Sequence, residues 1–217
     1  MSSHSIVAPL VKAPMLALGF RKRAGLIFTM EVAPGFLGWV SIATRAQYMS
    51  EPRWAGQPNI AVRHQEVSRI AAQLAGREYH PYHVPQIGNP LRYLTPHRGN
   101  PLQWEMGTFP GADLNAQDMV DAIRDYGLPF IRKYATNEAM LSAMAQNLVL
   151  NSGVSSRSKP VLLALMGRFN EATDNMDSLV ASAAGIDLPW AENDRSYAAN
   201  FHTWLAERAA GQDGQDS

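Results

Sequence analysis

An α+β fold is predicted by three features of this 217-residue chain. Apolar spacing switches from a period of two to about 3.6 near Gly111; a Pro34-Gly35 pair separates two β-type runs; and the glycines and prolines between Pro81 and Pro101 dictate irregular connections before the switch. The expected architecture is an antiparallel sheet of four to five strands in residues 1–110, followed by a bundle of four to five helices in residues 111–210. The two halves form one integrated domain, and residues 211–217 form a frayed tail.

Taken in order, the opening segment predicts a short helix before Gly19, broken by Pro9 and Pro14. Leu26 to Val32 and Phe36 to Arg45 are rich in β-branched and aromatic residues and predict a hairpin across Pro34-Gly35. Asn59 to Arg63 predicts a third strand. Val67, Ile70, Ala71 and Leu74 recur at helical spacing, giving a helix from Gln65 to Ala75 that ends at Gly76. Leu91 to Leu94 and Leu102 to Met106 supply the last strands.

Asn115 is the expected cap of the first helix beyond Gly111, with Gly127 as its stop and Pro129 opening the next. Thr136 caps a helix that buries Met140, Leu141, Met144 and Leu148 and ends at Asn151-Ser152-Gly153. Ser152 to Ser158 is expected to be a polar loop, and Val161 to Met166 a helix buried all round. Leu162 to Ala172 has the look of one tetratricopeptide helical hairpin, but no second copy follows. Tyr197, Phe201, Trp204 and Leu205 form one stripe of the last helix.

Composition narrows the classes of function. Hydrophobic residues make up 46% and charged residues 18%, as in an ordinary folded domain, and cysteine is absent. Thiol catalysis, iron–sulfur clusters and cysteine zinc sites are therefore excluded. No stretch approaches the ~20 apolar residues that span a bilayer, so no membrane insertion is expected. The N-terminal segment lacks the basic leader of a secretory signal, which predicts a cytoplasmic protein. Net charge is zero but uneven, with 11 Lys+Arg against 5 Asp+Glu in residues 1–110 and 8 against 14 in residues 111–217. Two readings follow: the halves neutralise each other across their seam, or the basic half faces an acidic partner.

The order Gly19-Phe20-Arg21-Lys22-Arg23, a strand, then Tyr126-Gly127-Leu128-Pro129-Phe130 resembles a bacterial family of small proteins known only as a domain of unknown function. The resemblance would cover most of the chain. It implies an α+β fold and a bacterial intracellular setting, and carries over no catalytic or binding residue.

Chemistry-bearing groups are few. His80 and His83, with His64 and His97, are the candidate metal ligands, since imidazole suits zinc and related ions. Loop histidines in solvent are the structural alternative, and no cofactor is expected. No G-x-S-x-G elbow or Gly-rich phosphate loop occurs. Asp118, Asp121 and Asp125 share a helix face, where they complement a helix dipole more naturally than they bind a cation. Arg21-Lys22-Arg23 beside Phe28, Phe36 and Trp39 could hold a single strand, but the balanced charge argues against nucleic acid.

The remaining candidate is a contact surface. Arg53 and Trp54, with Tyr48 and Met49, lie in the expected loop Gln47–Pro58; Tyr79, Tyr82 and Tyr93 lie in the later one. Tyr, Trp and Arg anchor interfaces, and the alternative is that Trp54 plugs one end of the sheet. The leading expectation is thus a bacterial cytoplasmic interaction protein that binds another protein, such as an immunity or accessory factor of a toxin or defence system. A metal-dependent enzyme and a nucleic-acid-binding module are the alternatives.

Overall fold

Six antiparallel strands form one curled sheet in the computed structural model, which describes residues 3–47, 51–96 and 104–213. Tyr48, Met49 and His97 lie outside the described residues, as do the start of the Leu102–Met106 strand and most of the expected tail. The strands are β1 (Arg21–Lys22), β2 (Ile27–Ala33), β3 (Phe36–Gln47), β4 (Arg53–His64), β5 (Ile87–Pro90) and β6 (Trp104–Gly107). The first four pair in sequence order, and β5 and β6 share the outer edge of β4. The β2–β3 hairpin turns where expected, at Pro34 and Gly35, with Gly35 at φ +77°.

β4 is much longer than Asn59–Arg63. It takes in Arg53 and Trp54, which were expected in a loop, and pairs with β3 along its whole length. A proline in a strand interior argued against this length. Pro58 fits for a specific reason. Its cross-strand partner Ile42 directs its own N–H to Leu26, away from β4, so the missing Pro58 N–H would face the opposite edge. Among the described residues that edge has no strand partner at Gln57–Pro58, between the segments paired with β5 and with β6.

One sheet face carries Val40, Ile42, Ile60 and Val62, all buried, beneath the helices α1 (Ser3–Ala17), α3 (Ala112–Ala122) and α4 (Leu128–Lys133). The approach is close: a Cβ on Gly38 of β3 would lie 2.8 Å from Ile131. The other face presents Trp39, Ala61 and Arg63, and is covered by the connection from residue 75 to 86 and by Leu150. Burying both faces of β3 and β4 explains why Trp39 and Val40, which point opposite ways, are both in the core.

α1 runs through Pro9 and Pro14 instead of breaking. Its stripe Val7, Val11 and Met15 is fully buried, and that burial outweighs the backbone hydrogen bonds the prolines remove. α2 (Gln65–Leu74) matches the expected helix and buries Val67, Ile70 and Leu74. Leu91 to Tyr93 is a 3-10 turn following β5, not a strand. Arg21 and Lys22 form β1.

The second half contains five helical rods among the described residues. α3 starts at Gly111, and Asn115 lies inside it, donating from Nδ2 to the carbonyl of Glu105. Gly127 does not stop the helix. A π turn over Ile123–Gly127 leads straight into α4, and the missing Gly127 side chain makes room for Ile60. Thr136 caps α5 (Asn137–Ala145) as expected. Asn151 begins rather than ends a helix: its side chain accepts from Val154 N–H and opens α6 (Ser152–Leu165), so the serine-rich stretch is helical. α6 and α7 (Phe169–Ser182) form the expected hairpin, and α8 (Pro189–Asp213) buries Tyr197, Phe201 and Leu205. No described helix is long and apolar enough to cross a membrane.

Candidate functional site

A cation at the end of the apolar run Ile60-Ala61-Val62-Arg63 organises a cavity on the surface. Arg63 is only 2% exposed, and strand pairing opposite Leu37 sets it on the sheet face beneath the 75–86 connection. Its Nε donates to Gln65 Oε1 at 2.9 Å. Its Nη1 donates to the carbonyls of His83 (2.5 Å) and Val84 (3.2 Å), and its Nη2 to that of His80 (2.8 Å). The connection is therefore held by main-chain oxygens wrapped around one guanidinium. Tyr79 adds a hydrogen bond from its hydroxyl to the same Gln65 oxygen. Tyr82 lies under the guanidinium of Arg23, 4.1 Å from its ring centre, while Arg23 Nε donates to Thr29.

The next residue, His64, anchors the far side. Its backbone N–H donates to Gln86 Oε1, and Gln86 in turn donates to Ser68. The ring Nδ1 accepts from the Val67 N–H at the start of α2, which leaves Nε2 to carry the proton toward Asn137 Oδ1. Burial holds this imidazole below its ordinary pKa, against the opposing effects of Asn137 and Glu66.

Between Arg63 and α6 lies a cavity of about 130 Å³ whose lining includes Arg77, Tyr79, His80, His83 and Ser158. Desolvation lowers the pKa of His83, and the positive charges of Arg63, His80 and Arg77 lower it further. The local field is thus positive. The Arg77 side chain has no hydrogen-bond or ion-pair partner among the described residues. Arg77 also lines the two adjoining cavities, of about 370 and 420 Å³, which continue the groove past Trp190, Arg157 and Tyr197. Arg157 is bound by Asp194 at 2.6 Å, and Trp190 is 47% exposed at the start of α8.

The residues expected to carry function are dispersed. His80 and His83 lie together, with ring centres 6.1 Å apart, while both nitrogens of His64 are already bonded. Among the described residues, no three or more His, Asp or Glu side chains converge to hold a metal. Arg53 pairs with Glu105 and lies over Phe109, and Trp54 is buried opposite Ala46 and Met106. Tyr79 and Tyr82, half-buried, belong to the cavity rim and its support. Asp118 accepts from Trp104 Nε1, and Asp121 and Asp125 pair with Arg124.

Sequence reasoning missed Arg63, Arg77 and Trp190. The one available signal was a lone charge in the otherwise apolar end of β4. The uneven charge also proves informative. No ion pair among the described residues joins the basic half to the acidic half; their seam is apolar, supplemented by hydrogen bonds such as His64–Asn137, Asn200 to the Leu74 carbonyl and Trp104 to the Asp118 carboxylate. No family model matches the chain, and comparison with curated proteins and with solved structures returns no match.

Proposed function

We propose that this protein is a protein-binding module of the bacterial cytoplasm that docks an acidic segment of its partner along the groove from His83 past Arg77 to Trp190. The observation that carries this reading is Arg77, a cation at the junction of three adjoining cavities with no partner among the described residues. A half-exposed Trp beside unpaired Arg is the residue pairing that anchors protein contacts, and a concave basic groove favours carboxylates. The missing ion pairs across the seam support the same reading, because the charge of the basic half is left for something else to complement.

The test uses the whole chain, with a photo-cross-linking residue introduced at position 190. Arg77→Glu and Trp190→Ala should abolish capture of the partner. Leu114→Ala, at the most exposed large apolar residue elsewhere, should leave it intact. The cross-linked peptide should be acidic, and binding should weaken with salt. Capture that survives both groove substitutions, or a cross-linked segment without acidic residues, sinks the proposal.

A further inference from the structure

From the surroundings of Arg63, we infer that the cavity beneath the 75–86 connection is a receptor for a single small oxyanion, a phosphate or carboxylate group. This names the ligand chemistry of the His83 end of the groove proposed above and shares Arg77 with that reading, while Ser158 belongs to the oxyanion site alone and Trp190 to the partner groove alone.

Three observations converge. First, Arg63 is a buried cation without a carboxylate: every acceptor it meets is a neutral carbonyl or amide oxygen. Buried charges are ordinarily paired with an opposite charge, whereas the further side-chain partner of this guanidinium is Tyr79 rather than a carboxylate. Second, donors gather on the cavity wall. The Tyr82 N–H bonds to His80 Nδ1, so the proton of a neutral His80 sits on Nε2. Ser158 of α6 is 2% exposed, lines the cavity, and its hydroxyl has no partner among the described residues. Arg77 adds a second, unpaired guanidinium. Third, Glu78 is the one carboxylate in the lining; like Arg77, His80 and His83 it is exposed, and no ion pair ties it to the cations.

The electrostatics agree with this placement. Arg63, His80 and Arg77 all oppose protonation of His83, and an anion among them reverses that effect. Facing His83 are Arg63, Arg77, Glu78 and His80; α2 and α6 contribute only Ser68, Ala72, Val154 and Ser158. Anion binding and His83 protonation therefore reinforce each other, and affinity rises as pH falls into the imidazole range.

Inorganic phosphate and acetate, each titrated alone into the whole protein, test the site by calorimetry and by the histidine ring signals in NMR. Saturable binding of either anion at millimolar concentration, with downfield shifts confined to His80 and His83, is the expected result. Tighter binding of phosphate marks a phosphate-bearing ligand, and equal binding marks a carboxylate. Arg77→Gln should weaken binding about tenfold, the ordinary worth of one charge-assisted hydrogen bond, with the melting transition unchanged. Ser158→Ala gives a second, independent loss. The inference is overturned if neither anion shifts His80 and His83, or if both variants bind like the parent.

Discussion

His64 Nε2 meets Asn137 Oδ1 at 3.1 Å, tying the last residue of β4 to the first of α5 across the seam between the two halves. Holding both bonds requires a neutral ring: Nε2–H can donate to Asn137 in either state, but Nδ1 can accept from Val67 N–H at the start of α2 only when unprotonated.

Acid should therefore weaken the fold through this residue. The folded pKa lies below 6.5, so protons bind the unfolded chain more readily. Its contribution is complete above the unfolded pKa and is lost as pH falls through the folded one. The slope between the two values is at most about 1.4 kcal/mol per pH unit. Denaturant titrations at neutral and mildly acidic pH should show this loss in the parent and a flatter profile in His64→Asn, which keeps a capping acceptor but cannot titrate.

Arg63→Met should cost roughly 3 kcal/mol, because it strips the hydrogen-bond donors from three partly buried carbonyls at once. Arg63→Lys should recover little, since one ammonium cannot reproduce the planar fork. Amide exchange should rise first in residues 77–86, ahead of β2 and β3. Uniform exchange across the sheet would contradict the pinning role.

Two glycines should respond in opposite directions. A Cβ on Gly88 would lie 2.7 Å from Leu150 and 2.8 Å from Ala61, so Gly88→Ala should destabilise by about 1–3 kcal/mol. Gly153, in the first turn of α6, has only Asn151 Oδ1 nearby, at 3.5 Å. Gly153→Ala should stabilise by about 0.5–1 kcal/mol through helix propensity. Both are read from chemical denaturation midpoints.

Asn151→Ala tests whether the serine-rich stretch is a true helix start. Loss of the cap to Val154 N–H should cost about 1 kcal/mol, and Asn151→Asp should retain most of it. An unchanged midpoint in Asn151→Ala would count against the cap.

The fold class was legible because period-two runs and helical stripes were strong where they mattered: Leu26–Val32, Val67–Leu74, and Tyr197 to Leu205 all take the expected form. The misreadings share a cause, in that tertiary packing overruled local punctuation. Pro9 and Pro14 did not break α1, Gly127 became a π turn against Ile60, and Pro58 sits in β4 where no strand partner is found among the described residues. Each depends on which neighbour occupies a particular direction, information that single-chain periodicity does not contain.

The cavity was less legible for the same reason. His80 and His83 stood out as residue types, but the partners that give them meaning, Arg63 and Ser158, come from β4 and α6. The aromatic–Arg surface expected around Arg53 and Trp54 instead became part of the sheet once β4 extended through it.

Arg63 grips its overlying segment through peptide oxygens, which every amino acid supplies. The identities of His83 and Val84 are thereby uncoupled from that grip, and His80 adds only its ring bond to the Tyr82 N–H. Substitution at these three positions can retune what the hollow accepts while the scaffold stays constant, so ligand preference in this architecture can diverge faster than the architecture itself.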